Sequence, residues 1–281
     1  MSQRCRVVAA YGHEAGSGRD LSDAAGLDVS VVSSGRELFR RVTELRLGGE
    51  EVCVVPMTLG RNPELVADTA RTLRALPEGE RRGTLLAAPF GTSQHLVSWL
   101  RAAAGRIPDD SALLLTAPCG DPFDDAELYR VASLVRRHGR HTLVEVAFTG
   151  GDPDPAEGVR RCRRLGASRV TLLPAAFVPP EVPDDAGPRV HRHGPLLSPA
   201  ALARVLAERV ADARRRWSEH GDDGFATGLG FAADHGYAHT HAPGEGHDHG
   251  HGPPGGHAHA HAHAHQHPPA PGAGRVNRST A

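Results

Sequence analysis

The sequence predicts an α/β protein made of two tandem halves, each a parallel sheet with helices on both faces, followed by a disordered His-rich C-terminal tail. Three observations carry this reading. Residues 46–59 (RLGGEEVCVVPMTL) and 164–177 (RLGASRVTLLPAAF) align without a gap, sharing Arg-Leu-Gly, a Val-led apolar run and a closing proline, Pro56 or Pro174. Residues 89–100 (PFGTSQHLVSWL) and 195–206 (PLLSPAALARVL) align in the same way. Between them, short apolar runs alternate with amphipathic segments, the pattern of strand–helix units that build a parallel sheet. A motif that recurs within one chain marks a duplicated structural unit. The expected organisation is therefore a first half over 1–108, a second over 109–217 and a tail over 218–281.

The elements follow in order. Residues 4–10 (RCRVVAA) form a first strand that runs into a Gly-rich loop, and residues 20–26 hold at most a short helix. Residues 27–32 alternate as a strand. Residues 36–47 form an amphipathic helix with Leu38, Val42 and Leu45 on one face and Arg40, Arg41 and Glu44 on the other. Residues 51–56 are the third strand. Asn62-Pro63 then starts a helix, Asn as N-cap and Pro at the first position, with Leu65, Thr69, Leu73 and Leu76 on its apolar stripe. A strand over 84–89 and a helix over 93–104 complete the half. The second half repeats the order, with strands at 112–116, 142–148 and 169–174 and helices at 125–137, 156–165 and 199–217. Residues 181–187 read as loop.

Composition narrows the function classes. The 32 basic residues are all Arg, against 33 acidic ones, so the net charge is near zero and gives no reason to expect nucleic-acid or membrane binding. The absence of Lys excludes Schiff-base and Lys-nucleophile chemistry. Cys5, Cys53, Cys119 and Cys162 stand far apart with no C-x-x-C pair, which suits free thiols in a reducing cytosol. No charged-then-apolar leader opens the sequence and no apolar run nears the roughly 20 residues that span a bilayer, so a cytoplasmic location is expected.

Chemistry-bearing residues lie in three places. The tail runs GHDHGHGPPGGHAHAHAHAHQH, and imidazole is a good ligand for Co, Ni, Cu and Zn. His247, His249, His251, His257, His259, His261, His263, His265 and His267 are its candidate metal ligands. Beyond 217 the composition carries no hydrophobic period, and such a segment buries too little apolar surface to offset its ordering entropy. His13-Glu14 follows the first strand, where ligands sit in parallel α/β sheets; it is the candidate catalytic pair, with His13 also a candidate metal ligand. Gly60-Arg61-Asn62 follows the repeated strand. There the helix N-terminus attracts anions and Arg61 offers a forked donor, so Arg61 and Asn62 are the candidate substrate contacts, with Arg61 facing the cleft. Asp121, Asp124 and Asp125 read as a helix start. His193 either reaches the cleft or belongs to an exposed loop.

The two tandem halves, each with the LG-x-x-x-V-x-x-x-P signature, resemble the class II tetrapyrrole chelatases, the sirohydrochlorin cobalto- and ferrochelatases. The resemblance covers residues 4–217 and is closest in GDPFDDAELYRVASLV, EGVRRCRRLGASRVTLLP and PLLSPAALARVLAERV. It implies a tandem chelatase-like fold and insertion of a divalent metal, cobalt first and nickel or iron next, into a sirohydrochlorin-like tetrapyrrole in cobalamin biosynthesis. The metal is then a substrate, no organic cofactor is needed, and the molecule is a monomer with pseudo-twofold halves or a homodimer. The family's first strand ends in His-Gly-Ser. Here the first half gives Tyr11-Gly12-His13 and the second Ala117-Pro118-Cys119. A second family His follows the strand ending at Pro56, and residues 57–62 (MTLGRN) lack it, as do residues 177–180. A non-catalytic protein that binds, stores or delivers cobalt or nickel is therefore the alternative.

Overall fold

A computed structural model describes residues 5–19, 21–22, 29–179 and 187–234. It holds two four-stranded parallel sheets. The first, in the order β2-β1-β3-β4, contains β1 (Cys5–Tyr11), β2 (Val29–Ser33), β3 (Glu51–Met57) and β4 (Thr84–Leu86). The second, in the order β6-β5-β7-β8, contains β5 (Ala112–Pro118), β6 (Val144–Thr149), β7 (Val170–Pro174) and β8 (Val190–Arg192). The same strand order in both halves agrees with the duplication read from the sequence. Parallel registers, such as Tyr11 beside Met57 and Thr116 beside Pro174, bring the strand carboxyl ends to one edge of each sheet.

The helices are α1 (Arg36–Leu47), α2 (Pro63–Arg74), the short α3 (Glu78–Arg81), α4 (Ser93–Ala104), α5 (Pro122–Arg137), α6 (Pro155–Arg164), α7 (Pro199–His220) and α8 (Phe225–Asp234). Side-chain N-caps start several of them. Asn62 accepts from Leu65 N–H at 2.9 Å, Asp121 from Phe123 and Asp124 N–H, Asp154 from Glu157 N–H, and Ser198 from Ala201 N–H. Each cap satisfies helix N–H groups that have no intrahelical acceptor.

The described residues of both halves belong to one compact unit. The inner faces of both sheets share one apolar core, with Leu96 and Leu100 of α4, Val131 and Val135 of α5, and Leu202 and Leu206 of α7. The halves exchange helices there: α4 packs against β7, and α7 packs against β3 and β4. The outer face of the first sheet is covered by α1, α2 and Phe225 of α8, and that of the second by Val159 and Cys162 of α6. His141, buried in the segment leading to β6, bridges the halves' junction by meeting Ser111 O at 2.9 Å and Ala104 O at 3.1 Å.

Several expectations change. The strand expected over 84–89 ends at Leu86, and α5 begins at Pro122, one turn before the expected start, because Asp121 caps it. Residues 190–192, to which the sequence pattern assigns no element, pair with β7 as β8. The tail does not begin at 218. The last long helix continues to His220, and α8 follows, with Phe225 buried against the first half and Asp223 O accepting from Leu86 N–H at 2.8 Å. Phe225 and Leu229 supply an apolar stripe that the Gly- and Ala-rich composition of the whole tail obscures. Most of the short helix expected over 20–26 and of the loop expected over 181–187 lies outside the described residues. No described helix is long and apolar enough to cross a membrane.

Candidate functional site

The site lies where the carboxyl ends of β1, β3 and β5 meet. β1 ends at Tyr11, and Gly12 leads into a single 3-10 turn, His13–Ala15. β3 ends at Met57, and the chain from Thr58 to Asn62 passes beneath that turn before α2 begins. Gly60 makes this passage possible: its φ is +104°, and a Cβ there would stand 2.1 Å from Ser93 N. A left-handed conformation against backbone is a glycine-only position.

Glu14 is fully buried. One carboxyl oxygen, Oε2, accepts from the Thr58 hydroxyl and from Leu59 N–H at 3.1 Å; the other, Oε1, has no partner. Burial raises its pKa, opposed by the nearby Arg61 charge and these donors. Its backbone carbonyl accepts from Phe177 N–H of the second half at 3.0 Å. Glu14 therefore fastens the first-strand turn to the β3 loop and to the second half, and it does not reach solvent as the His-Glu pairing anticipated.

His13 is poised differently on its two nitrogens. Asn62 Oδ1 is taken by Leu65 N–H, so Asn62 Nδ2 turns to His13 Nδ1 at 3.1 Å and donates to it. An accepting Nδ1 on a neutral ring leaves the hydrogen on Nε2. Nε2 itself is buried without a partner and faces Gly120, where an added Cβ would stand 2.9 Å away. Burial, and secondarily the Arg61 charge, lower the His13 pKa to about 4, with Asp121 opposing.

Asp124 and Asp125 come from the first turn of α5. Asp124 Oδ2 lies 3.8 Å from His13 Nδ1. Burial first, then Asp121, raise the Asp124 pKa to about 7, with Arg61 opposing and Glu14 and Asp125 adding. Between about pH 4 and 7 both partners are thus predominantly uncharged, and the contact is not a salt bridge in that range. Replacing Asn62 by Asp keeps the helix cap but turns the donor facing Nδ1 into an acceptor. Nitrogen-15 NMR is expected to show the hydrogen on Nε2 of His13 in the native chain and on Nδ1 in Asn62→Asp; the same tautomer in both would contradict this geometry.

Arg61 departs furthest from expectation. Its side chain has no exposed surface, so it does not face a cleft or grip a substrate there. Its guanidinium crosses to the second half, donating from Nε to Asp124 O at 3.3 Å and from Nη2 to Asp125 Oδ1 at 3.1 Å, and lies 5.9 Å from the centre of the Phe148 ring. Nη1 has no partner. Burial explains the change: the Gly60 turn directs residue 61 under α5 rather than outward. Asn62 is half-buried and spent on the helix cap and on His13.

The sequence reads Asp124 and Asp125 only as part of a helix start, and it assigns no site role to Thr58 or Gly120. One signal was available: His13 stands two residues past the end of β1, and Gly120 two residues past the end of β5, so the two occupy equal positions in the halves. They touch, and the missing side chain at 120 makes room for the imidazole. Cys119, beside it, donates to Gly150 O at 3.2 Å. His193 lies past β8, its N–H donating to Leu172 O. An apolar cavity of about 300 Å³, lined by Leu59, Phe177, Leu196 and Leu202 among others, shares Leu59 and Phe177 with the Glu14 anchorage. Among the described residues no group of three or more His, Cys, Asp and Glu side chains could hold a metal ion. The tail histidines from His247 to His267 lie outside the described residues.

No protein-family profile matches the chain. It is 35% identical over 68 residues to a sirohydrochlorin cobaltochelatase of Priestia megaterium, a match covering 24% of this chain and 22% of that protein. The match thus spans about a fifth of the relative's length. Among solved structures, SirB from Bacillus subtilis with Fe3+ superposes with a TM-score of 0.48 at 12% identity, over 78% of this chain and all of SirB. DR2241 from Deinococcus radiodurans, a multi-domain protein with structural similarity to chelatases, gives 0.47 at 21% identity, over 76% of this chain and 56% of its own.

Proposed function

We propose that this chain is a class II chelatase-like protein that inserts a divalent metal, cobalt first, into a sirohydrochlorin-like tetrapyrrole, a step of cobalamin biosynthesis. The observation that carries the reading is His13, a neutral imidazole at the carboxyl end of the central strand, with Asn62 and Asp124 converging on one of its nitrogens. The 68-residue stretch that is 35% identical to a sirohydrochlorin cobaltochelatase supports the same class.

Insertion breaks two pyrrole N–H bonds, releases two protons, and leaves the nitrogen electron pairs to bond the incoming ion. His13 is the candidate group for holding the ion or accepting a proton, because its lowered pKa keeps the ring neutral at pH 7, with a ring-nitrogen electron pair for either role. Either role through Nε2 requires its hydrogen to be relocated to Nδ1, and Asp124 Oδ2 is the acceptor on that side. Glu14 and Arg61 support this group from beneath and across the interface. The apolar cavity beside Leu59 and Phe177 suits one face of a flat macrocycle. The tail histidines are the candidate ligands that take up the metal for this step.

The test is the rate at which the full chain forms the cobalt tetrapyrrole, followed by visible absorption. A rate no greater than that of spontaneous insertion would sink the reading. The absence of a three-ligand cluster among the described residues favours a second one, a metal-binding, storage or delivery protein without catalysis. That predicts full Co(II) and Ni(II) binding with no insertion, and loss of binding when the alternating histidines from His257 to His267 are replaced by Ala.

A further inference from the structure

The chelatase reading needs His13 Nε2 to meet a ligand, yet in this structure the second half's backbone at Gly120 stands against it. Gly120 covers the nitrogen so closely that a methyl group at that position would sit 2.9 Å from it. What keeps Gly120 there can be traced. Its N–H donates to Asp125 Oδ1 at 3.0 Å, the same oxygen that receives Arg61 Nη2. Arg61 also holds the Asp124 carbonyl, at the start of the same helix, and lies against Phe148 at the end of β6. One first-half side chain thus touches three places in the second half that surround the cover.

The chemistry of this contact is unusual for a permanent fastening. A fully buried guanidinium is costly to desolvate, and an apolar side chain would join two cores at less cost. Arg61 Nη1 and His13 Nε2 are both buried polar atoms without a hydrogen-bond partner, and each is stabilised when it finds one. Separation of the α5 start from the Gly60 turn would hydrate both at once. Part of the cost of opening is therefore already stored in the closed form.

We propose that Arg61 is a positioning residue that latches the second half over His13, so that a ligand reaches Nε2 only when the Arg61–Asp125 contact opens. This rests on the reading of His13 as the reacting group, but its test does not use chelation, so the two can fail separately. The probe is diethyl pyrocarbonate, which acylates neutral imidazole nitrogen, applied to the full chain and read by mass spectrometry. Trypsin releases residues 7–19 with His13 as their only histidine, and residues 83–101 with the exposed His95 as theirs. In the native chain His13 is expected to react at least about tenfold more slowly than His95, as a group exposed only by local opening does. In Arg61→Met/Asp125→Leu, which removes both charges together, that protection is expected to shrink to within about threefold. Equal rates in the native chain would overturn the latch without any variant. So would unchanged protection of His13 in a variant that still unfolds cooperatively.

Discussion

Replacing Asp125 by Leu is expected to lower folding stability by about 3–5 kcal/mol, the range found when one partner of a buried pair is removed. The two members of this pair are not equivalent. Arg61 has no exposed side-chain surface, whereas Asp125 keeps 23% of its own. Removing Asp125 strands a buried cation whose remaining partners are the Asp124 carbonyl and the Phe148 face. Removing Arg61 leaves a carboxylate that water reaches and that Gly120 N–H still satisfies. Arg61→Met should therefore cost less than Asp125→Leu, and Arg61→Met/Asp125→Leu should recover most of the loss, since paired removal leaves no uncompensated charge. Urea unfolding of the four proteins measures this order. If Arg61→Met costs as much as Asp125→Leu, the guanidinium is not the stranded group and the buried contact is misassigned.

How much of this was legible in the sequence depends on the distance over which each feature is determined. Helix starts at Asn62-Pro63 and the duplicated strand at residues 51–56 follow from residues within one turn of each other, and both are where the pattern put them. His13 stood out for a similar local reason, a titratable side chain in a Gly-rich loop after a strand. Arg61 did not reveal itself, because its partner in α5 lies 64 positions away and nothing near residue 61 signals that the Gly60 turn drives the side chain inward. Asp124 read as an ordinary helix start, and it is one. Its second quality, proximity to His13, arises only when the two halves meet. The helix over Phe225–Asp234 was hidden by averaging: a few apolar residues, Phe225 and Leu229 among them, suffice to dock against the first half, but they do not lift the composition of a long Gly- and His-rich segment.

The largest expected effect on activity belongs to His13. A positioned general base of this kind contributes about 10²–10⁴ in rate. The cost to the fold should be small by comparison. His13 is partly exposed, and its one close hydrogen bond, from Asn62, ends at a helix-capping residue that retains Leu65 N–H. His13→Ala should thus keep the cooperative unfolding of the native chain and, with the tail histidines as the proposed metal ligands, its uptake of Co(II), while losing insertion. This separation of metal binding from chemistry is what distinguishes an enzyme with a His-rich tail from a metal carrier on a similar scaffold. The decisive measurement is the initial rate of Co(II) insertion into a sirohydrochlorin-class tetrapyrrole by the full chain and by His13→Ala, at equal bound cobalt. A native rate above the spontaneous one that falls by about 100-fold or more in the variant is the expected result; a variant as fast as the native chain would contradict it.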